Sequence, residues 1–509
     1  MSVAFAGQQA ASWRMKGYAG DMRRFLLTCA LVLTGMGHAT WAAQPAGEEQ
    51  PIPKQVLDAM DRKELGNLYT PAVAGKLYDA HVLMEKYFAA QQAKDRKAIV
   101  AQIKATGIDA NILGRLVRIR LYWPELEAGV YYVNERIGPH DVIYFFGVPK
   151  GYDRTKAWPM VIKLPGTYAF EVNPPPTAQQ VQEWYTGWIQ DEMRAHPDAV
   201  VMMPLLNISE IWGPSYKGVN SVIQPMLHIG GRANIDPARV YLMGQAMSAH
   251  ATWNLALHFP TYFAAINPMA GGASLPFQRL RMIGLGNIRA VVWHDAEDQN
   301  VKVELSRELV ALLKQLKYDV DYEETKGVGH APDDGLAARL YGKMRAKTRE
   351  LYPKRVGLAS NRPDTLLNRN DWVQVYQMMA PGKEKKARIA YGTGTIMLQE
   401  NSYSITATMT GPNKIEFTCK NMESLRFHVN DQMVDFSKPV TVTMYGRPKF
   451  SGMVQPSVEE MLSDQLFLGR GWRYYTGVID IDFGTAQPET RPTTQPTTRK
   501  GTIEYTPPN

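Results

Sequence analysis

Apolar residues over 54–67, 72–94 and 98–107 recur every three or four positions, the spacing that gathers them on one face of a helix. They predict a helical region over 44–128. From 129 to 355 the pattern changes. Short apolar runs at 142–148, 160–164, 199–203, 240–243, 263–266 and 290–293, and the segment 320–323, read as strands. Helical spacing separates them, from about 177 and at 219–231, 249–258, 303–317 and 335–352. Strands alternating with helices of that length require a parallel sheet covered on both faces. Ligands of such sheets bind beyond the carboxyl ends of the strands.

A third pattern fills 356–485. Runs rich in Val, Ile, Thr, Tyr and Phe lie at 404–409, 414–418, 424–429, 440–445 and 474–481, separated by turn residues such as Gly411-Pro412-Asn413 and Asn430-Asp431. They predict a small antiparallel β module with one helix near 458–467. Residues 486–509 are dominated by Pro and Thr, a composition that predicts a disordered tail.

The N-terminus follows a different logic. Arg23 and Arg24 precede an apolar run at 25–36, and the small residues Ala39, Ala42 and Ala43 come next. That order predicts a signal peptide over 1–43, cleaved near Gln44, and so a periplasmic or secreted protein. No Ser or Thr directly precedes the arginines, so general secretion fits better than a twin-arginine route. A buried N-terminal helix is the alternative. The run is shorter than the ~20 residues of a membrane span.

Composition sharpens this picture only modestly. The chain has 509 residues, 45% of them hydrophobic and 21% charged, which fits a sizeable core shared among two or three domains. The formal charge of +8 is scattered, and no nucleic-acid module is recognisable, so no nucleic-acid partner is expected. Of the two cysteines, Cys29 lies in the signal segment, which leaves Cys419 alone and excludes an internal disulfide in the mature chain.

The candidate chemistry sits where the strand at 240–243 runs into Gly244-Gln245-Ala246-Met247-Ser248-Ala249-His250-Ala251-Thr252-Trp253. The lead-in is Asn234-Ile235-Asp236-Pro237-Ala238-Arg239-Val240-Tyr241-Leu242-Met243. Together they resemble secreted serine esterases and prolyl-oligopeptidase-like α/β-hydrolases, whose elbow reads G-H-S-M-G-G-H-G-T-W. The resemblance spans about 129–352 and implies an α/β-hydrolase fold, with an N-terminal helical region and a C-terminal β module added. Gly244, Met247, His250, Thr252 and Trp253 hold the register. Gln245 replaces His, Ala246 replaces the nucleophilic Ser, and Ser248, Ala249 and Ala251 replace glycines. A methyl group cannot attack a carbonyl carbon, so the nucleophile is lost.

The resemblance also implies an acid at Asp298, in His294-Asp295-Ala296-Glu297-Asp298, and a base at His330, after Gly327-Val328-Gly329. In a triad the acid orients the His, and the His takes the proton of the nucleophile. Without that nucleophile the pair also reads as a turn-stabilising contact or a pocket lining. Asp295 and Glu297 read as solvated loop charges, and Asp333 and Asp334 as caps of the next helix in preference to metal ligands. The implied oxyanion donors are the N–H of Met247 and that of Gly166 or Thr167, beside Pro165, which has no N–H. Ser248 is the one alternative nucleophile. It lies two residues past the elbow, about 200° around a helix, which turns its hydroxyl from His330 and toward backbone.

These features describe a secreted hydrolase relative without serine chemistry that binds a ligand or acts as a scaffold. The alternative is an active ester or peptide hydrolase with a non-standard nucleophile. The expected ligand is a small ester, a peptide or a glycan-derived molecule, with no cofactor and no metal. Tyr168, Phe170, Trp212 and Tyr216 are candidate apolar walls; Trp253 could join them but also fits the helix core.

Overall fold

The computed structural model describes residues 50–137, 140–165, 178–205, 216–273, 275–362, 368–388 and 395–483. The signal segment 1–43, Cys29, Gly166, Thr167, Tyr168, Phe170, Trp212 and the tail 486–509 lie outside the described residues.

Four helices open the described chain: α1 (Lys54–Leu65), α2 (Pro71–Ala89), α3 (Ala93–Ala105) and α4 (Ala110–Leu116). The spacing over 72–94 predicted one helix, but Ala90 takes extended backbone and breaks it. Helix α4 is too short to show a period. Its start is fixed by Asp109, whose carboxylate accepts the Asn111 N–H at 2.8 Å.

An eight-stranded sheet follows. Its elements are β1 (Gly129–Ile137), β2 (His140–Val148), β3 (Trp158–Lys163), α5 (Ala178–Ala195), β4 (Val200–Pro204), α6 (Tyr216–Arg232), β5 (Ile235–Gln245), α7 (Met247–His258), β6 (Ala265–Met269), α8 (Pro276–Leu280), β7 (Arg289–Asp295), α9 (Glu304–Gln315), β8 (Val320–Thr325) and α10 (Asp334–Arg345). The strand order is β1-β2-β4-β3-β5-β6-β7-β8. Strands β1 and β2 run antiparallel to their neighbours and the rest are parallel. This is the α/β-hydrolase fold.

The two-residue period of the strands builds both faces. Met160 and Ile162 of β3 share a core with Val222, Met226 and Ile229 of α6 and with Trp253 and Leu257 of α7. Val161, between them, joins Tyr241, Met243, Val291 and Trp293 against Leu336, Leu340 and Met344 of α10. Strand β1, missed in the sequence, lies at the edge and pairs only with β2, so it carries no continuous apolar run. Helix α10 stops at Arg345, short of the expected 352. Beyond it the Arg349 N–H reaches the Ala238 carbonyl at 2.8 Å.

The remaining strands are β9 (Arg355–Ser360), β10 (Arg369–Asn370), β11 (Val373–Gln377), β12 (Glu384–Arg388), β13 (Thr395–Gln399), β14 (Tyr403–Gly411), β15 (Lys414–Lys420), β16 (Ser424–Val429), β17 (Val440–Met444), β18 (Arg447–Gly452) and β19 (Gly477–Asp482), with α11 (Val458–Leu468) before the last. Sheets β18-β17-β15-β14-β9 and β10-β11-β16-β19 enclose Ile405, Phe417, Val442, Val375, Phe427 and Ile479. The sheet is not wholly antiparallel as expected, because β15 and β17 pair in parallel.

The helical region packs on this module. Leu57, Met84, Ile103 and Leu113 share a core with Val458, Met461 and Leu462 of α11 and with Tyr474. Arg470 clamps Glu85 with two bonds of 2.6 and 3.0 Å. Burial opposes ionisation of Glu85, but Arg470 outweighs it and holds the carboxyl below its usual value. A buried link joins the β module to the α/β unit: Arg349 donates to both oxygens of Asp371 at 2.8 Å, each side chain 1% exposed.

Candidate functional site

Strand β5 ends at Gln245 and α7 begins at Met247, so Ala246 alone makes the turn. Its φ of 55° and ψ of −121° are backbone that L residues rarely adopt. The surroundings enforce it. The Ala246 N–H donates to the Met269 carbonyl at 2.8 Å, and its own carbonyl accepts from the Ala249 N–H at 3.0 Å. Two glycines permit the close approach. A Cβ on Gly244 would stand 2.4 Å from the Ser248 carbonyl oxygen, and one on Gly271 would stand 2.6 Å from the Ala249 Cβ.

Asp298 lies in the loop after β7 and His330 in the loop after β8. With parallel strands, both loops share the sheet edge where β5 delivers Ala246. His330 Nδ1 donates to Asp298 Oδ2 at 2.8 Å. The other carboxylate oxygen accepts from the Asn300 and Val301 N–H groups at 2.8 and 3.1 Å. Burial would raise the Asp298 pKa, but the His330 hydrogen bond and the two backbone donors prevail and hold it below the usual value. With Nδ1–H committed to Asp298, the neutral ring keeps its lone pair on Nε2. The His330 side chain is 19% exposed while that of Asp298 is fully buried. Ala246 is also half-buried.

Gln245, which stands where the resembled family has His, is part of this arrangement. Its Nε2 donates to the His330 carbonyl at 2.9 Å. Asp295 requires a correction. Instead of being a solvated loop charge it is fully buried. Its carboxylate accepts from the Glu297 N–H at 2.9 Å, the Thr325 hydroxyl at 2.8 Å and the Val328 N–H at 2.9 Å, so it ties the loop after β7 to the loop after β8. Burial works against its ionisation, and these donors more than offset that, lowering its pKa. Glu297 does lie at the surface, 3.4 Å from Lys326. Asp333 caps α10, accepting from the Leu336 N–H at 2.8 Å, and Asp334 lies in its first turn.

A further histidine was not singled out as a site residue. His294, at the end of β7, is fully buried. Its Nε2 lies 3.0 Å from the Val301 carbonyl and 3.3 Å from Asp298 Oδ2, and its Nδ1 lies 2.7 Å from the Ser306 hydroxyl of α9. The one sequence signal was a polar residue closing an apolar strand.

Ser248 is buried, and its hydroxyl donates to the Pro165 carbonyl, not to His330. Met247 contributes the first N–H of α7, at a helix end that has no preceding turn to accept it. Trp253 is fully buried in the core and does not wall a cleft. Cys419 is half-buried, and burial pushes its thiol pKa up. A small, partly open pocket lined by Arg118, Trp123, Ile235, Arg470 and Trp472 contains none of the site residues. Among the described residues, no helix is long and apolar enough to cross a membrane.

No known family matches the chain, and neither does any curated protein. Solved structures similar to it are esterases and related hydrolases at low identity. A thermostable esterase is 22% identical, with a TM-score of 0.35, over 43% of this chain and 63% of the esterase, so the chain spans less than two thirds of that protein. A protein from Klebsiella pneumoniae named as a dienelactone hydrolase is 12% identical, with a TM-score of 0.34, over 43% of this chain and 98% of its own. A ferulic acid esterase from Anaeromyces mucronatus is 13% identical, with a TM-score of 0.31, over 44% of this chain and 90% of its own.

Proposed function

We propose that this protein is a hydrolase relative that acts outside the cytoplasm, has lost covalent serine chemistry and binds its ligand at the sheet edge where Ala246, Asp298 and His330 lie. The observation that carries this reading is Ala246 in the strained turn, with Asp298 and His330 hydrogen-bonded at the same sheet edge. A strained strand-to-helix turn and a hydrogen-bonded Asp–His pair are parts that a serine-hydrolase site uses, and the side chain at the turn carries no attacking oxygen. The ligand is a small ester, a peptide or a glycan-derived molecule. The helical region (44–128) docks on the β module (356–485), and both flank the α/β-hydrolase unit (129–355).

The test uses a fluorophosphonate probe, which labels activated serines, on the wild-type protein and on Ser248→Ala. Removing the nucleophile of a comparable serine hydrolase costs about 10⁶ in turnover, so neither protein should be labelled. Labelling of the wild type that vanishes in Ser248→Ala would overturn the reading and establish a displaced nucleophile.

A further inference from the structure

We propose that His330, oriented by Asp298, acts as a general base on water, so that the site hydrolyses esters of acidic alcohols directly, with no acyl-enzyme. This rests on the reading that position 246 supplies no nucleophile.

The hydrogen bonds separate the base from the loops that carry it. The turn after β7 is already satisfied by the Asn300 and Val301 N–H groups on Asp298 Oδ1. The loop after β8 is already tied by Asp295 to the Val328 N–H and by Gln245 to the His330 carbonyl. Neither loop needs the imidazole. The ring nevertheless spends Nδ1 on the buried Asp298 carboxylate at 2.8 Å. Among the described residues, no hydrogen bond reaches its Nε2. A partly exposed imidazole so held is an oriented acceptor for a proton.

Ala differs from Ser by a single oxygen atom. The place a seryl Oγ would take at the elbow is therefore the size of a water oxygen. In the reaction, His330 Nε2 takes one proton from water as the water oxygen bonds to the ester carbonyl carbon. The carbonyl π electrons move to its oxygen, which Met247 N–H at the start of α7 is placed to stabilise. On collapse the bond to the alcohol oxygen breaks, and that oxygen takes the proton from His330. An acid and an alcohol leave, with no change of oxidation state.

Magnitude selects the substrate class. A positioned general base contributes about 10²–10⁴-fold, whereas a full triad supplies far more. That suffices for esters whose leaving group is a phenol or an enol and falls short for amides.

The experiment measures 4-nitrophenyl acetate hydrolysis by the whole mature chain, His330→Gln and Asp298→Asn, each confirmed folded by circular dichroism. The expected result is wild-type turnover about 10²-fold above His330→Gln, slower in D₂O, without a burst and unaffected by fluorophosphonate. Asp298→Asn should lie between the two. Equal rates in wild type and His330→Gln would overturn the proposal and leave the binding reading standing. A burst with an acyl group trapped on His330 would also overturn it, since the ring would then be attacking the carbonyl itself. Fluorophosphonate labelling and inhibition of the wild type would instead overturn the reading beneath it.

Discussion

The side-chain amide of Gln245 donates to the main-chain carbonyl of His330 at 2.9 Å, joining the residue before the turn at Ala246 to the histidine paired with Asp298. A net hydrogen bond of this kind is worth about 1 kcal/mol. Its loss should act on orientation more than on stability. In an Ala246→Ser background, Gln245→Ala should slow fluorophosphonate labelling roughly 10-fold, since misplacing a catalytic group by about 1 Å costs up to 10²-fold. Labelling rates that are equal with and without Gln245 would show that the amide does not position the base.

Asp298 links the site to acid stability. Its folded pKa lies below the ordinary value, so the folded state favours its ionised form. The resulting stabilisation is fully present above the unfolded carboxylate value of about 3.9. It is lost as pH falls through the lower folded value. Asp298→Asn should therefore be less stable than wild type near neutrality, and the difference should close below about pH 4. Urea midpoints measured across pH test this, and two parallel curves would contradict it.

Ala246 has a φ of 55° and a methyl side chain with no nucleophilic atom. An L residue in left-handed backbone costs about 1–2 kcal/mol, partly offset in glycine by the greater freedom of the unfolded chain. Ala246→Gly should therefore stabilise the protein by about 0.5–1 kcal/mol, read as a higher urea midpoint. A loss of stability would mean that the turn is not strained.

Arg349 and Asp371 fasten the β module to the hydrolase sheet. Arg349 Nη1 also donates to the Phe263 carbonyl at 2.8 Å, and Asp371 accepts from the Thr261 hydroxyl at 3.2 Å. Burial lowers the Arg349 pKa, against the pull of Asp371. Removing one partner of a buried pair strands the other charge, so Asp371→Ala should lose about 3–5 kcal/mol. A change under about 1 kcal/mol, the size of a surface pair, would show that the contact is not buried in solution.

The sequence disclosed the elements whose periodicity buried faces enforce. Strands β3 to β7 carry apolar runs because helices cover both sides, and the Gly244–Trp253 segment is legible because the turn tolerates few residue types. Other elements left no such trace. Strand β1 is an edge strand, β10 is two residues long, and β12 and β13 pair only with each other. Around the candidate site, Asp298 and His330 came from the resemblance of their segments to those that carry the acid and the base in the resembled family. Asp295 was misread as solvated because its burial depends on Thr325 and Val328, thirty or more residues later. Gln245 looked like a departure from the resembled motif, and its bond to the His330 carbonyl is a contact between distant segments that one sequence does not display.

The most direct test of the central claim, an acid–base pair kept in place without its nucleophile, is intact mass after incubation with a fluorophosphonate, for wild type and Ala246→Ser in parallel. The prediction is no adduct on the wild type and one adduct on Ala246→Ser. An adduct on the wild type, or a folded Ala246→Ser protein that stays unlabelled, would contradict it.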